Sequence, residues 1–273
     1  MYYKVLSIAG SDSGGGAGIQ ADIKAISATG GYAATAITAI TVQNTIGVKD
    51  VFPVPVSYIS AQIEAVLEDI GADAVKIGML HSSEVVHAVT EQLKRFDMPN
   101  IVLDPVMVST SGHRLIEESA IATLRSELIP MARVITPNIP EAEILVGHEI
   151  SRQDELPAVA RELSEMFSAE RPVSVLMKAG HLVDEQLTDY FYNAVSGKTT
   201  PLFSNRIHTR NTHGTGCTLS SAFASFLAQG NPLDRAAISA KNYINQAIIA
   251  GAEEKIGAST ESSHGPVKHF YML

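Results

Sequence analysis

The residues able to do chemistry gather in a few short stretches of this 273-residue chain. Thr212-His213-Gly214-Thr215-Gly216-Cys217 sets two glycines and the only cysteine at the mouth of an apolar run that continues to Gly230. Glycines there leave backbone N–H groups uncovered. A helix beginning near Thr218 would add orphan donors and the positive end of its dipole, which together make an anion site. Cys217 has three readings in that setting: a small buried apolar residue, a covalent nucleophile with His213 as its base, or a proton acceptor beside an anion hole. A first-turn position lowers a thiol pKa and favours thiolate. A nucleophile also wants a third partner to orient its base, and the sequence supplies none, so the glycines fit the proton acceptor best. Lys178 offers a point charge that can bridge phosphates. Asn138 and Glu141 lie one helical turn apart and carry the hard oxygen ligands Mg²⁺ prefers, directly or through water. They are equally the start of an N-capped short helix near Pro140. An anion hole, a cation clamp and a base are the parts that phosphoryl transfer needs.

Two glycine patterns suggest other chemistries and fall short. Gly16-Ala17-Gly18-Ile19-Gln20-Ala21 has the G-x-G-x-x-A form of a dinucleotide loop. Such a site also wants an acid at the end of the second strand, and that end is Gln43-Asn44. Gly197-Lys198-Thr199 resembles the end of a P-loop, but the earlier glycine it requires falls at Tyr192, so a hairpin turn is the better account.

The elements that must position these groups alternate along the chain. Short β-branched runs at 4–9, 34–42, 74–79, 100–106, 133–138 and 173–180 are separated by helical periodicities such as Ile59/Ile63/Val66/Leu67/Ile70, Val85/Val86/Val89/Leu93/Phe96 and Leu156/Val159/Leu163/Phe167. That alternation predicts a mostly parallel sheet covered by helices. Residues 188–207 read as antiparallel strands at one edge, and two helices close the chain, one after Gly214 and one from about Leu233 to Ala250. No linker, repeat or low-complexity tract divides residues 1–273, so one domain is expected. In open α/β sheets ligands sit beyond the carboxyl ends of the strands. Here those ends carry Gly10 to Asp22, Gln43-Asn44, Gly78-Met79, Asp104, Asn138 with Glu141, and Lys178-Ala179-Gly180.

With 20 basic against 29 acidic residues, the chain lacks the cationic face that nucleic acid requires. One cysteine excludes an intrachain disulfide and a thiolate-rich zinc site. No run of about 18 apolar residues and no signal-peptide pattern is evident, which leads us to expect a soluble cytoplasmic protein without membrane contact.

The chain resembles the ribokinase superfamily, and within it the hydroxymethylpyrimidine/phosphomethylpyrimidine kinases of thiamine biosynthesis. The motifs that carry the resemblance are IAGSDSGGGAGIQAD, TAITVQNT, KIGML, LDPVM, TPNIPEAE, LMKAGH, NTHGTGCTLSSA and HGPVKHF, in order from end to end. The resemblance implies a ribokinase-like three-layer α/β/α sandwich with a mostly parallel central sheet and an antiparallel edge. It implies ATP as phosphoryl donor, Mg²⁺, two successive phosphorylations of the pyrimidine, and a homodimer. Gln43 would read the pyrimidine, with Asp22, Gly10, Val42, Met79 and Val106 lining its pocket. Asn138 and Glu141, with Asp104, would organise Mg²⁺, and Lys178 would touch the donor phosphates. Gly214, Thr215, Gly216 and Cys217 would form the anion hole, with Cys217 where many relatives carry an aspartate base. Ser13 replaces a proline common in the family, a change expected to loosen the loop over the substrate. Glycines and polar residues make Ser109–His113 and His181–Thr188 candidate lids. A pyridoxal or pyridoxine kinase is the nearest alternative, disfavoured because pyridoxine cannot return the paired bonds that the Gln43 amide offers an aminopyrimidine. A non-catalytic ligand sensor would be favoured by loss of the lysine, the Asn138/Glu141 pair or the glycine cradle, and all three are present.

Overall fold

In chain order the elements are β1 (Tyr3–Asp12), α1 (Gly18–Ala28), β2 (Gly31–Gln43), β3 (Val48–Pro53), α2 (Val56–Asp69), β4 (Ala74–Ile77), α3 (Ser83–Arg95), β5 (Ile101–Leu103), α4 (Glu118–Thr123), β6 (Val134–Ile135), α5 (Ile139–Val146), α6 (Leu156–Phe167), β7 (Ser174–Met177), β8 (Gln186–Asn193), β9 (Lys198–Asn205), α7 (Thr215–Ala228) and α8 (Leu233–Gly251). This computed structural model describes residues 2–107, 116–180, 182, 184–257 and 263–272.

Among the described residues nine strands form one sheet in the order β3-β2-β1-β4-β5-β6-β7-β8-β9. The six central strands pair in parallel, and β3, β8 and β9 pair antiparallel at the two edges. Successive side chains of a strand point to opposite faces, and the core divides accordingly. Leu6, Ile8, Val75, Ile77, Ile101, Leu103, Ile135 and Val175 pack with α2, α3, α5 and α6 on one side. Val5, Ala74, Val102, Val134 and Leu176 pack with α1, α7 and α8 on the other. Strands buried on both faces read as near-continuous apolar runs, which is why the sequence shows them clearly.

The predicted three-layer sandwich and its antiparallel edge at β8 and β9 are present, as are the predicted helices. Two elements were not expected. In β3 the segment Val48-Lys49-Asp50-Val51-Phe52-Pro53 contains residue types depleted in strands, as suits an exposed edge. The run from α4 continues through a π turn and a 3₁₀ turn to Met131, a broken helix with no clean 3.6-residue period. The candidate lid Ser109–His113 lies outside the described residues, as do His181 and Val183, while Gln186–Thr188 are already strand β8.

From β1 the chain passes to β2 on one side and, after β3 and α2, to β4 on the other. That reversal makes a crevice beyond the carboxyl ends of β1 and β4.

Candidate active site

A cavity of about 750 Å³ opens over this crevice, and all six parallel strand ends reach it. Its walls include Gly10 and Asp12 after β1, Gln43 after β2, Met79 after β4, Asp104 after β5, Asn138 and Glu141 after β6, and Lys178 after β7. The first turn of α7 and the apolar Ile244 and Ile248 of α8 close the far side.

Gly214 is the N-cap of α7, with φ 79° and no side-chain cap. A Cβ here would lie 1.8 Å from the carbonyl oxygen of Gly16, so the two glycine loops meet backbone to backbone. The Gly216 and Cys217 N–H groups have no partner inside the helix and carry the positive end of its dipole. A Cβ on Gly216 would come within 3.3 Å of both Lys178 Nζ and Asp104 Oδ2. The helix terminus and the lysine therefore converge on one point, as an anion site requires.

Lys178 donates to Asp104 Oδ1 at 2.8 Å and lies 4.0 Å from Glu141. Burial works against its charge, but Asp104 and Glu141 outweigh burial and hold its pKa above the ordinary lysine value. Asn138 and Glu141 form a complete capping box on α5: Asn138 Oδ1 accepts from the Glu141 N–H, and Glu141 Oε2 accepts from the Asn138 N–H. The capping reading of this pair is thus realised, and the same two side chains face the cavity. Burial pushes the Glu141 carboxyl up to about 7, with Asp104 adding to the rise and Lys178 opposing it. Two buried carboxylates sharing one lysine leave hard oxygen ligands in excess of positive charge, which fits Mg²⁺ held largely through water. Among the described residues no three His, Cys, Asp or Glu side chains form a closed metal cage.

Cys217 departs from its expected state. Burial pushes its thiol up to about 11, with Asp22 and Asp104 adding, while Lys76 and the Gly18 backbone only partly offset this. In the ligand-free site Cys217 is therefore a protonated thiol at neutral pH. Asp22 also departs. Fully buried in α1, it accepts from Ser7 Oγ, Ser221 Oγ and twice from Lys76 Nζ, all within 2.9 Å, and does not line the cavity. Val42 is 52% exposed on the outer face of β2, because strand alternation sends Thr41 and Gln43 to the cavity and Val42 away from it.

Gly10, Met79, Val106 and Gln43 do line the cavity. Met79 lies so close to Gly10 that a Cβ there would meet Met79 Cε at 2.6 Å. Ser13 does not loosen its loop: its hydroxyl donates to the Gln43 carbonyl at 2.7 Å and accepts from the Gln43 N–H at 2.8 Å. Asp12 went unnoticed in the sequence. Its carboxylate accepts from the N–H groups of Gly14, Gly16 and Ala17 and pairs with His213 Nε2 at 2.8 Å. Burial opposes its charge, yet His213 and these amides hold its pKa below the usual range. An aspartate followed by glycines at the second and fourth positions is an Asx-loop signal that could have found it. Lys241 and Asp189 were missed as well. They pair at 2.7 Å in the cavity wall, and Asp189 also accepts from the Ala179 N–H beside Lys178.

Residues 12–268 match the sequence pattern of a family described as phosphomethylpyrimidine kinase. The hydroxymethylpyrimidine/phosphomethylpyrimidine kinase of Rhizobium meliloti is 47% identical over 266 residues, 97% of this chain and 96% of that one. The thiamine biosynthesis bifunctional protein of Geobacter sulfurreducens is 42% identical over 97% of this chain, which spans about half (52%) of that longer relative. Among solved structures, the ADP complex of Bacillus subtilis pyridoxal kinase superposes with a TM-score of 0.87 at 34% identity, covering 100% of this chain and 99% of the other.

Proposed function

The chain belongs to the phosphomethylpyrimidine kinase family, and from that premise we propose that it transfers the γ-phosphoryl group of ATP to 4-amino-5-hydroxymethyl-2-methylpyrimidine and then to the resulting monophosphate. The observation that carries this reading is the convergence of Lys178, Gly216 and the start of α7 on one point of a cavity that Gln43 also lines. Lys178 and the Gly216 and Cys217 amides hold the donor phosphates and take up the charge that spreads over the transferring group. Asn138, Glu141 and Asp104 would hold Mg²⁺, which would neutralise phosphate charge. Ile244 and Ile248 offer an apolar wall to the nucleotide base. Gln43 pairs with the aminopyrimidine edge.

Cys217 is the proton acceptor in this proposal. The substrate oxygen bonds to phosphorus, the bond from phosphorus to the departing diphosphate oxygen breaks, and the hydroxyl proton passes to the thiolate. Because the ligand-free thiol has a pKa of about 11, the thiolate is the minor form at neutral pH. kcat/KM for the pyrimidine then rises by about tenfold per pH unit below that value. A profile that is flat between pH 7 and 9 assigns the proton elsewhere.

The nine-stranded sheet shared by both packing layers supports reading residues 1–273 as one kinase domain. Among the described residues no helix is long and apolar enough to cross a membrane. Ile40, Val42 and Phe52 are exposed on β2 and β3, and Ile40 and Phe52 are cross-strand partners. This apolar strip supports a homodimer, which light scattering of the wild type and Phe52→Glu would check. The deciding experiment for the activity is ADP release with Mg-ATP and either pyrimidine, pyridoxal or pyridoxine, in wild type and Gln43→Met. Turnover of both pyrimidines, lost in Gln43→Met while B6 turnover persists, supports the reading; a wild type that prefers pyridoxal overturns the substrate.

A further inference from the structure

The hydrogen-bond chain around Gln43 fixes the direction of its amide. His213 Nε2 lies 2.8 Å from Asp12 Oδ2 and 3.2 Å from the nearer terminal atom of Gln43. A ring nitrogen that close to an ionised carboxylate carries the proton and donates it, since its lone pair would otherwise face negative charge. A donor cannot face a second donor, so the Gln43 atom toward His213 is the oxygen. The other end of the amide gives the same answer. Thr41 Oγ1 has one proton, and the Ser11 carbonyl accepts it at 2.9 Å. Toward Gln43, 3.2 Å away, the hydroxyl can then only accept, so the atom facing it is the NH₂. The oxygen and nitrogen of a carboxamide are nearly alike in size, and their partners decide which is which.

We infer that His213, held by Asp12, is a positioning residue that sets the Gln43 carboxamide with its oxygen on the His213 side and its nitrogen on the Thr41 side. The inference rests on the proposed pyrimidine kinase activity and deepens it. The amide then has one acceptor lone pair and one N–H left for the cavity, in a fixed order. It takes a ring edge with an amine donor beside a ring-nitrogen acceptor only when the amine lies on the His213 side. The surroundings hold this arrangement rigid. The backbone N–H of His213 donates to the Gly265 carbonyl at 3.0 Å, and a Cβ on Gly16 would come within 2.5 Å of His213 Cδ2. On the other flank the Ser13 hydroxyl grips both backbone polar groups of Gln43. Neither Asp12 nor His213 needs to touch substrate to act in this way.

The first test needs no substrate. A long-range ¹H–¹⁵N spectrum of the full chain, assigned with His213→Gln, is expected to show His213 protonated at Nε2; a neutral ring protonated only at Nδ1 would overturn the inference. The second is kinetic, with wild type, His213→Phe and His213→Gln. His213→Phe keeps the ring volume and removes the donor, and it should raise KM for hydroxymethylpyrimidine about tenfold or more while leaving KM for Mg-ATP unchanged. His213→Gln restores an N–H toward Asp12 and should recover most of that loss. Unchanged pyrimidine KM in His213→Phe, equal damage in both variants, or a parallel rise in KM for Mg-ATP would each count against the positioning role. A wild type that turns over no pyrimidine would instead sink the substrate assignment, and the spectrum would still report on the amide.

Discussion

Two lysine–carboxylate pairs act electrostatically on Cys217, and they differ in what is left unsatisfied. Lys76 and Asp22 are both fully buried, and the Asp22 oxygens are filled by two serine hydroxyls and two contacts from the lysine. Burial opposes the charge of Lys76, but Asp22 leads a set of groups that more than offsets it. Lys178 has one short contact to Asp104, a second carboxylate at 4.0 Å and a face open to the cavity. Both side chains of the first pair are closed to solvent, although Lys76 borders the cavity wall, and the pair joins β4, α1 and α7. The second is poised, with spare donors on the lysine and spare charge on Glu141. Chemical type does not separate a structural ion pair from a functional one; the count of unfilled donors and acceptors does.

The contrast breaks most readily at its sealed member. Lys76→Met leaves Asp22 buried without its cation and should cost about 3–5 kcal/mol of stability, read as a lowered urea midpoint at pH 7. A loss below about 1 kcal/mol would mean that the pair is not the strut described. Next comes the poised member: Lys178→Met should lower kcat about 10²–10³-fold and lower the urea midpoint less than Lys76→Met does, because Glu141, its carboxyl already raised to about 7, can take up a proton in place of the lost cation. If instead stability falls and turnover survives, the two roles have been assigned the wrong way round. The smallest effect sharpens the comparison. Gln can keep the capping box that Glu141 makes with Asn138, so Glu141→Gln removes charge alone. The Glu141 carboxyl has a folded-state pKa raised to about 7, so its proton is held more tightly when folded, and wild-type stability falls as pH rises from about 4.5 through 7. The variant should be flatter over that window and melt a few degrees higher at pH 8 without nucleotide, yet turn over more slowly. A variant that melts lower would show that the cap, not the charge, dominates.

The same distinction explains what the sequence could and could not show. The doubly buried strands and the amphipathic helices were legible because burial on fixed faces writes a period into the residues. The strand ends were legible as a set, since Gly10, Gln43, Met79, Asp104, Asn138 and Lys178 do reach one cavity. Asp22 and Val42 were not. One sits in a helix whose buried face also admits Ser221 and Lys76, and the other differs from its neighbours Thr41 and Gln43 only in strand parity. Cys217 shows a different limit: the helix terminus was visible in the glycines, but the burial and carboxylates that raise the thiol pKa come from distant parts of the chain. Asp12 went unnoticed and His213 was weighed only as a base for Cys217, because 201 positions separate the two and hide the pair they form.

That separation also bears on how the protein is made. At about 5–20 residues per second, some 10–40 s pass between the synthesis of Asp12 and that of His213. Over the same interval Asp22 waits for Ser221, 199 positions downstream, to fill its last acceptor. The first strands can pair as they emerge, but the glycine loop after β1 has no opposite wall until α7 is complete. A nascent chain stalled before Thr212 would therefore hold most of its sheet and none of its anion hole, with the buried carboxylate of α1 still open to water.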